Sequence, residues 1–308
     1  MINVFITGEN GLMAKAVELA LIKDPDCKVV WGNLSAPRNL KELCDFPAMW
    51  NKDFLELDIT KRFNLKLALM STKPDVIINL AGVVGTDICS RFPLQAVDSN
   101  IKGAYNVASL AKELGIGLIH FSTTAIFDPD DYDGKIITNS TRKGPKTHYG
   151  LTKCMGEDIA KFTYPYTVIV RPTFVFGGNE DRHSAIAKLI KSSFMGNTEV
   201  VLLDPEIRKD YMYVDDMVRA LVTIVKKSTA GKEYNVSFGA PIKFSEIIDL
   251  IEATLNINLQ YKLVPEADYL KNHVVDNSEV VSLGWAPQVS LIEGIIKSFE
   301  SFSEVEKF

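Results

Sequence analysis

Tyr149-Gly150-Leu151-Thr152-Lys153 sets a phenol and an ammonium four residues apart. On a helix that spacing puts both side chains on one face. A nearby ammonium favours the phenolate and draws a tyrosine pKa toward neutrality, which suits a general acid or base. Of the ten tyrosines, only Tyr149 has a lysine four residues on. A solvated Tyr/Lys pair would show the same spacing, so neighbouring motifs must decide. Phe121-Ser122-Thr123-Thr124-Ala125-Ile126-Phe127-Asp128 leaves the carboxyl end of an apolar run, where open α/β sheets bind ligands. A hydroxyl there could bond a substrate carbonyl oxygen and hold it against Tyr149. A Ser/Thr loop that caps its own backbone is the competing reading. Thr123, Tyr149 and Lys153 taken together favour catalysis.

A second constellation lies at the start of the chain. Thr7-Gly8-Glu9-Asn10-Gly11-Leu12-Met13-Ala14 joins an apolar run to a helical pattern. Gly8 permits the tight turn, Gly11 lets backbone approach a pyrophosphate, and Ala14 lets the helix pack on the strand. The N–H groups and dipole at the helix start supply the anion site. An ordinary Gly-rich turn would look similar, but this one opens a strand–helix–strand unit, which favours a dinucleotide. Trp31-Gly32-Asn33-Leu34-Ser35 lacks the acid that would bond an adenosine 2′-hydroxyl. Arg38 follows and could pair with a 2′-phosphate, so NADP is preferred over NAD. A solvated Arg38 at a helix start is the alternative. Asp58, in Leu57-Asp58-Ile59-Thr60, could accept from an adenine amino group or simply cap a turn. The small residues of Asn79-Leu80-Ala81-Gly82 leave room for the nicotinamide-side ribose.

Short β-type runs alternate with longer helical patterns and would position these groups. The runs are Ile2–Ile6, Lys28–Trp31, Phe54–Leu57, Val76–Asn79, Leu118–Phe121 and Thr167–Val170, with helical spacing over Leu12–Ile22, Ala96–Leu114 and Tyr149–Phe162. Strands apolar on both faces and separated by helices predict a parallel sheet covered on each side. Right-handed crossovers make it doubly wound. Helical patterns at Ser184–Met195, Val214–Lys226, Phe244–Leu255 and Leu291–Phe302 follow, with strands at Glu199–Leu202, Glu233–Val236 and Leu259–Leu263. The expected fold is α/β: a Rossmann-type doubly wound parallel sheet over residues 1–172, carrying the Tyr/Lys helix. A smaller mixed α/β substrate-binding part occupies residues 173–308, with chain crossings between the two.

Composition narrows the partners. The 308 residues carry 34 Lys+Arg against 39 Asp+Glu, a formal charge of −5, with 46% hydrophobic and 24% charged residues. This much apolar surface argues against disorder. A mildly acidic chain without a basic block is a poor ligand for nucleic acid or an anionic membrane. The four cysteines and four histidines show no metal-ligand spacing. No apolar run reaches the ~20 residues of a membrane helix, and Met1 runs into the first strand without a signal-peptide pattern. A reduced cytoplasmic setting is expected.

In order and spacing these motifs resemble the extended short-chain dehydrogenases/reductases of the NAD-dependent epimerase/dehydratase type. TGENGLMA matches the TGxxGxxG/A loop, and YGLTK with Gly156-Glu157 matches YGxxKxxGE. FSTTAIFD stands for SSxxVYG, NLAG for the AAG-type strand end and LDIT for the adenine-contacting D-[IVL]-T. RPTFVFG and KDYMYVDD match R-P-x-x-VYG and RDY-hydrophobic-HVxD. The resemblance implies that Thr123, four positions before Phe127, is the catalytic Ser/Thr and Tyr149 the acid/base. Lys153 would bond the nicotinamide ribose and depress the Tyr149 pKa. The implied cofactor contacts are Gly8, Asn10, Gly11, Leu12, Met13, Arg38, Asp58, Ile59, Leu80, Ala81, Gly82, Asn100, Tyr149, Lys153 and Pro172. Val84, Thr124, Phe174, Arg208 and Lys209 would meet substrate. Lys209 replaces the arginine of RDY, which in many relatives holds a sugar-nucleotide phosphate, and lysine cannot make a planar bidentate pair. Arg208 beside it is the candidate substitute, although both cations would also suit a solvated loop.

Departures from the family pattern discriminate among its chemistries. Dehydratases resembling this chain carry Asp-Glu after the catalytic Thr, where Thr124-Ala125 stands here. Epimerase–reductases of the fucose-synthase type carry Cys at the position of Ala125, so His183, near the place of their partner histidine, reads as a surface or helix-start residue. With an aromatic at Phe174, the motifs are closest to the nucleotide-sugar 4-ketoreductases of the dTDP-4-dehydrorhamnose reductase type. The resemblance thus implies an NAD(P)H-dependent reductase of a nucleotide-diphosphate deoxysugar. A 4-epimerase retaining NAD, an NADP-binding regulatory subunit without turnover and a reductase of another carbonyl are the alternatives. Helices Ala96–Leu114 and Tyr149–Phe162 are apolar beyond one face, and in the family such helices often build a homodimer.

Overall fold

The computed structural model describes residues 1–8, 12–31, 57–177, 184–194, 199–202, 206–263 and 271–305. Asn10, Gly11, Arg38, His183 and most of the expected strand Phe54–Leu57 lie outside them. Two compact units emerge. One comprises Met1–Ile126, Thr147–Arg171 and Leu221–Tyr234, the other Phe127–Lys146, Pro172–Ala220 and Asn235–Phe308.

The first unit is organised on a central sheet. In chain order its elements are β1 (Ile2–Thr7), α1 (Leu12–Lys23), β2 (Cys27–Trp31), α2 (Arg62–Thr72), β3 (Val76–Asn79), α3 (Thr86–Arg91), α4 (Pro93–Val97), a π-helical turn (Asp98–Gly103), α5 (Ala104–Leu114) and β4 (Gly117–Phe121). A 3₁₀ turn over Thr124–Ile126 follows. The chain continues through α6 (Pro129–Tyr132) and β5 (Ile136–Ile137) of the second unit, α7 (His148–Thr163) and β6 (Val168–Pro172) of the first, β7 (Phe174–Phe176), α8 (Ala185–Phe194), β8 (Glu199–Leu202), β9 (Arg208–Lys209) and β10 (Tyr211–Tyr213) of the second, and then α9 (Val214–Lys227) and β11 (Glu233–Val236), each divided between the two. The described sheet runs β11-β6-β4-β3-β1-β2, with β2–β1, β1–β3, β3–β4 and β4–β6 all parallel. The order reverses between β1 and β3, so their carboxyl ends flank the crevice of a doubly wound sheet.

Burial on both faces explains why these runs show no alternation: Val4, Phe5 and Ile6 are all buried. Phe5 stacks on Trp31 with centroids 5.6 Å apart. Both belong to a core with Leu65 and Leu69 of α2, Val107, Ala108, Leu110 and Ala111 of α5, and Ile77 and Leu118 of the sheet. One expectation needs correction. Ala96–Leu114 is not one regular helix, because the turn at Asp98–Gly103 closes i→i+5 bonds between α4 and α5.

The second unit is built from paired short strands. Its remaining elements are β12 (Ile242–Lys243), α10 (Phe244–Leu255), β13 (Gln260–Leu263), β14 (Val274–Val275), α11 (Ser278–Val281) and α12 (Leu291–Val305). β7 pairs with β10, β8 with β13 and β5 with β14, each parallel, while β9 and β12 are antiparallel. Asp216 is fully buried, and its carboxylate accepts from the backbone N–H groups of Gln288 (2.8 Å) and Val289 (2.9 Å). Trp285 Nε1 donates to the Asp216 carbonyl at 3.1 Å. Asp210 accepts from the N–H groups of Phe238 and Gly239 at 2.8 and 2.7 Å.

Candidate active site

Thr147 starts α7 by accepting a hydrogen bond from the Gly150 N–H at 3.0 Å, as an N-cap should. That cap fixes the first turn and so the pitch at which Tyr149 and Lys153 leave the helix. Thr123 arrives from the other side, just past β4. It is buried, and its hydroxyl both accepts from the Ala125 N–H at 3.2 Å and bonds the Tyr149 phenol. Its flanking residues Ser122 and Thr124 are buried too. Sequence reading placed Thr123, Tyr149 and Lys153 together, and the fold brings all three to one end of β4 in the first unit.

The electrostatics depart from expectation. Burial pushes the Tyr149 phenol up to about 12, with the Thr123 hydrogen bond pulling the other way. The Lys153 Nζ donates to the Phe121 carbonyl at 2.5 Å. Burial draws Lys153 down to about 8, opposed by Glu157 one turn further along α7. Cys89 of α3, a residue no sequence pattern singled out, is fully buried and lies close enough to couple to both groups. Its thiol donates to the Val83 carbonyl, and burial pushes its pKa up.

The segment after β3 is held tightly. Asn100, presented by the π-helical turn, accepts from the Val83 N–H at 2.8 Å and donates to the Val83 carbonyl and to Thr152 Oγ1, both at 3.0 Å. Gly8 has φ +92°, and a Cβ there would stand 2.7 Å from the Ala81 nitrogen. The ends of β1 and β3 therefore approach too closely for any side chain at this turn. A Cβ on Gly82 would meet Asn100 Oδ1 at 2.7 Å and Lys153 Nζ at 3.8 Å. Leu80, Ala81 and Gly82 are half-buried. Leu12 opens α1, with Met13 half-buried behind it.

Other expected residues are placed less directly. Asp58 is exposed and accepts from the Thr60 N–H at 2.8 Å, which is the turn-capping alternative. Ile59 packs in the core, and Asn106 donates to its carbonyl at 2.9 Å. Pro172 ends β6, buried, and Val84 is exposed. In the second unit, the Lys209 ammonium sits 5.0 Å from the centroid of the Phe174 ring. Phe174 also contacts His273 edge-on at 5.3 Å and Tyr211 at 5.6 Å. Arg208 is exposed, 3.5 Å from Glu246. The ring partners of Phe174 come from β10 and from His273, the residue before β14, too far away in sequence to be foreseen.

Two buried imidazoles make stability acid-sensitive. Burial holds His120 and His273 down at about 3, with Lys153 and Lys209 respectively reinforcing the effect. A folded-state pKa below the unfolded value of about 6.5 contributes stability that is complete above pH 6.5 and lost as pH falls toward 3. Melting temperature should therefore decline progressively below pH 6.5. Part of that slope should vanish in His120→Asn. Equal slopes in the variant and the parent would refute the buried neutral imidazole.

A family model described as the NAD dependent epimerase/dehydratase family matches residues 4–237. The dTDP-D-glucose 4,6-dehydratase of Mus musculus is 25% identical over 317 residues, covering 96% of this chain and 87% of that protein. The UDP-glucose 4-epimerase of Thermotoga maritima, solved with UDP-glucose, superposes with a TM-score of 0.83 at 23% identity, covering 99% of this chain and 100% of the other. RMD from Pseudomonas aeruginosa, solved with NADPH, gives 0.78 at 18% identity with the same coverage.

Proposed function

Because this chain belongs to the NAD dependent epimerase/dehydratase family, we propose that it is an NAD(P)H-dependent reductase of the 4-keto group of a nucleotide-linked deoxysugar. The observation carrying this reading is the Thr123–Tyr149 hydrogen bond beside a buried Lys153, with no titratable residue following Thr123. Dehydration needs acid and base groups next to the reacting sugar carbons, and Thr124-Ala125 supplies neither.

A dinucleotide fits the residues present. Backbone is left bare at Gly8 and Gly82, and Lys153 Nζ stands near the position a Gly82 side chain would take. Gly8, Leu12, Met13, Leu80, Ala81, Gly82 and Lys153 would hold the group in the first unit, with Asn10, Gly11 and Arg38 from outside the described residues. When bound, the nicotinamide supplies hydride to a carbonyl carbon. Thr123 would orient the carbonyl oxygen, and Tyr149, protonated at neutral pH in the free site, would donate the proton that completes the alcohol. Lys153 would hold the nicotinamide-side ribose. The proposed substrate contacts of the second unit are Phe174, Arg208 and Lys209; those of the first are Val84 and Thr124, each set taken from the family motifs by itself.

The test is a panel of nucleotide-linked 4-keto sugars with NADPH and NADH, scored by nicotinamide oxidation. Stoichiometric oxidation supports the reductase, and preference for NADPH supports the role of Arg38. Interconversion of sugars without added cofactor would replace this reading with a 4-epimerase. Cofactor binding without turnover of any sugar would favour the regulatory subunit.

We further propose a homodimer. Leu94, Val97, Tyr105, Leu151, Met155 and Phe162, on α4, α5 and α7, are exposed, and clustered apolar surface of this kind marks protein–protein contact. Leu151→Glu with Met155→Glu should shift the protein from dimer to monomer in sedimentation velocity. An unchanged sedimentation coefficient would exclude that face.

A further inference from the structure

Residues at the carboxyl ends of three neighbouring strands, the last of β1 and β3 and the last but one of β4, form a polar rung through a largely apolar sheet. Thr7 of β1 lies opposite Asn79 of β3, and Asn79 lies opposite His120 of β4. All three are buried. Their hydrogen bonds run in one direction. The Ala81 N–H donates to Thr7 Oγ1 at 3.3 Å, Thr7 donates to Asn79 Oδ1 at 2.6 Å, and Asn79 Nδ2 meets His120 Nδ1 at 3.0 Å. With Asn79 Oδ1 accepting from Thr7, its amide nitrogen can only donate. Nδ1 of His120 is thereby the acceptor and Nε2 carries the proton. Nε2 is buried and has no hydrogen-bond partner among the described residues. The ring is thus held at one nitrogen only.

Each residue of the rung leads into a segment of the site: Gly8 directly after Thr7, Leu80–Gly82 directly after Asn79, and Ser122–Thr124 starting two positions beyond His120. We propose that His120 is a positioning residue, a neutral imidazole that ties the end of β4, and with it Thr123, to the strand ends flanking the crevice. The inference rests on the reading of Thr123 as the residue that orients the substrate oxygen. Lys153 and Glu157 of α7 are the charged groups that act on the ring, and Arg171 of β6 binds Glu157. A neutral ring leaves Lys153 without a second cation beside it, whereas an imidazolium could not accept from Asn79 and would break the rung.

The experiment combines nitrogen-15 NMR of the histidine rings with kinetics of His120→Leu and His120→Asn. The ring of His120 should show the Nε2–H tautomer and remain neutral down to pH 5. His120→Leu removes the acceptor, and should lower kcat on the order of 10- to 100-fold with KM for NADPH changed much less. His120→Asn keeps an acceptor facing Asn79 and should recover most of kcat. A charged ring at pH 6, the Nδ1–H tautomer, or equal kcat in His120→Leu and the parent would each overturn the proposal. So would failure of His120→Asn to improve on His120→Leu when both bind NADPH like the parent. Should no nucleotide sugar be reduced, the tautomer and titration still report on the rung, while the substrate reading alone would fall.

Discussion

Tyr149→Phe will lower turnover on the order of 10²- to 10⁴-fold, the range for loss of a positioned general acid, while NADPH binding survives. The substitution removes one oxygen and its proton. It leaves untouched the Thr147 cap, the pitch of α7 and the Lys153 contact with Phe121. The phenol is hydrogen-bonded to Thr123 and pushed up to about 12 in the free site, so it stands protonated across the ordinary assay range. A group in that state is an acid awaiting a base, as carbonyl reduction requires. Initial rates give the loss in kcat, and titration of nicotinamide fluorescence gives binding. Near-parental turnover would remove Tyr149 from the chemistry. Lost binding at parental stability would make it a cofactor contact first.

Breaking the buried ion pair beneath α7 will destabilise the first unit strongly. Arg171 and Glu157 are 1% and 0% exposed, and the guanidinium grips the carboxylate through Nε at 2.9 Å and Nη2 at 2.5 Å. Glu233 accepts a further contact at 2.5 Å and is itself paired with Lys161. These two carboxylates raise the Arg171 pKa against the opposing effect of burial. Removing one partner of such a pair leaves an uncompensated buried charge, costing about 3–5 kcal/mol. Arg171→Met should show that loss in urea unfolding, with a melting point lower on the order of 10 °C. Arg171→Met with Glu157→Leu should regain much of it, because an apolar pair of similar volume escapes the desolvation cost. A single variant that loses under about 1 kcal/mol would show that the pair is solvated in solution.

The doubly wound sheet was legible because burial on both faces leaves uninterrupted Val/Ile runs such as Val4–Ile6, and because helices separate them. Tyr149 and Lys153 were legible because four residues is a helical repeat. What lay beyond reading shares one physical origin: partners distant in the chain. Nothing near Phe121 announces that its carbonyl holds the Lys153 ammonium, and nothing around Tyr149 in the chain announces the burial that pushes its phenol up. The rung of Thr7, Asn79 and His120 joins residues up to 113 positions apart (120 − 7), visible only once the strand register is known. Arg171 and Glu157 stood out only as letters of a family motif, without a reason for their presence. Two-residue strands such as Ile136–Ile137 and Arg208–Lys209 are too short to carry any period. Helix α2, over Arg62–Thr72, carries no clear helical period because its exposed Phe63 and Met70 blur the boundary between its faces.

The π-helical turn at Asp98–Gly103 has a bearing on how this chain tolerates changes in length. Such a turn holds one residue more than an α-helical turn. Deleting a single residue there would let α4 and α5 fuse into one unbroken helix. Because the turn absorbs that extra residue within a single revolution, its loss would leave the faces of α4 and α5 nearly in phase, whereas a residue removed from the regular part of α5 would rotate one side by about 100° relative to the other. The inward side of α5, formed by Ala104, Val107, Ala108 and Ala111, would keep its facing, and what would go is the turn that presents Asn100 to the Val83 backbone. The extra residue thus serves the Asn100 clamp, and a deletion in this turn should loosen the segment after β3 while sparing the packing of α5.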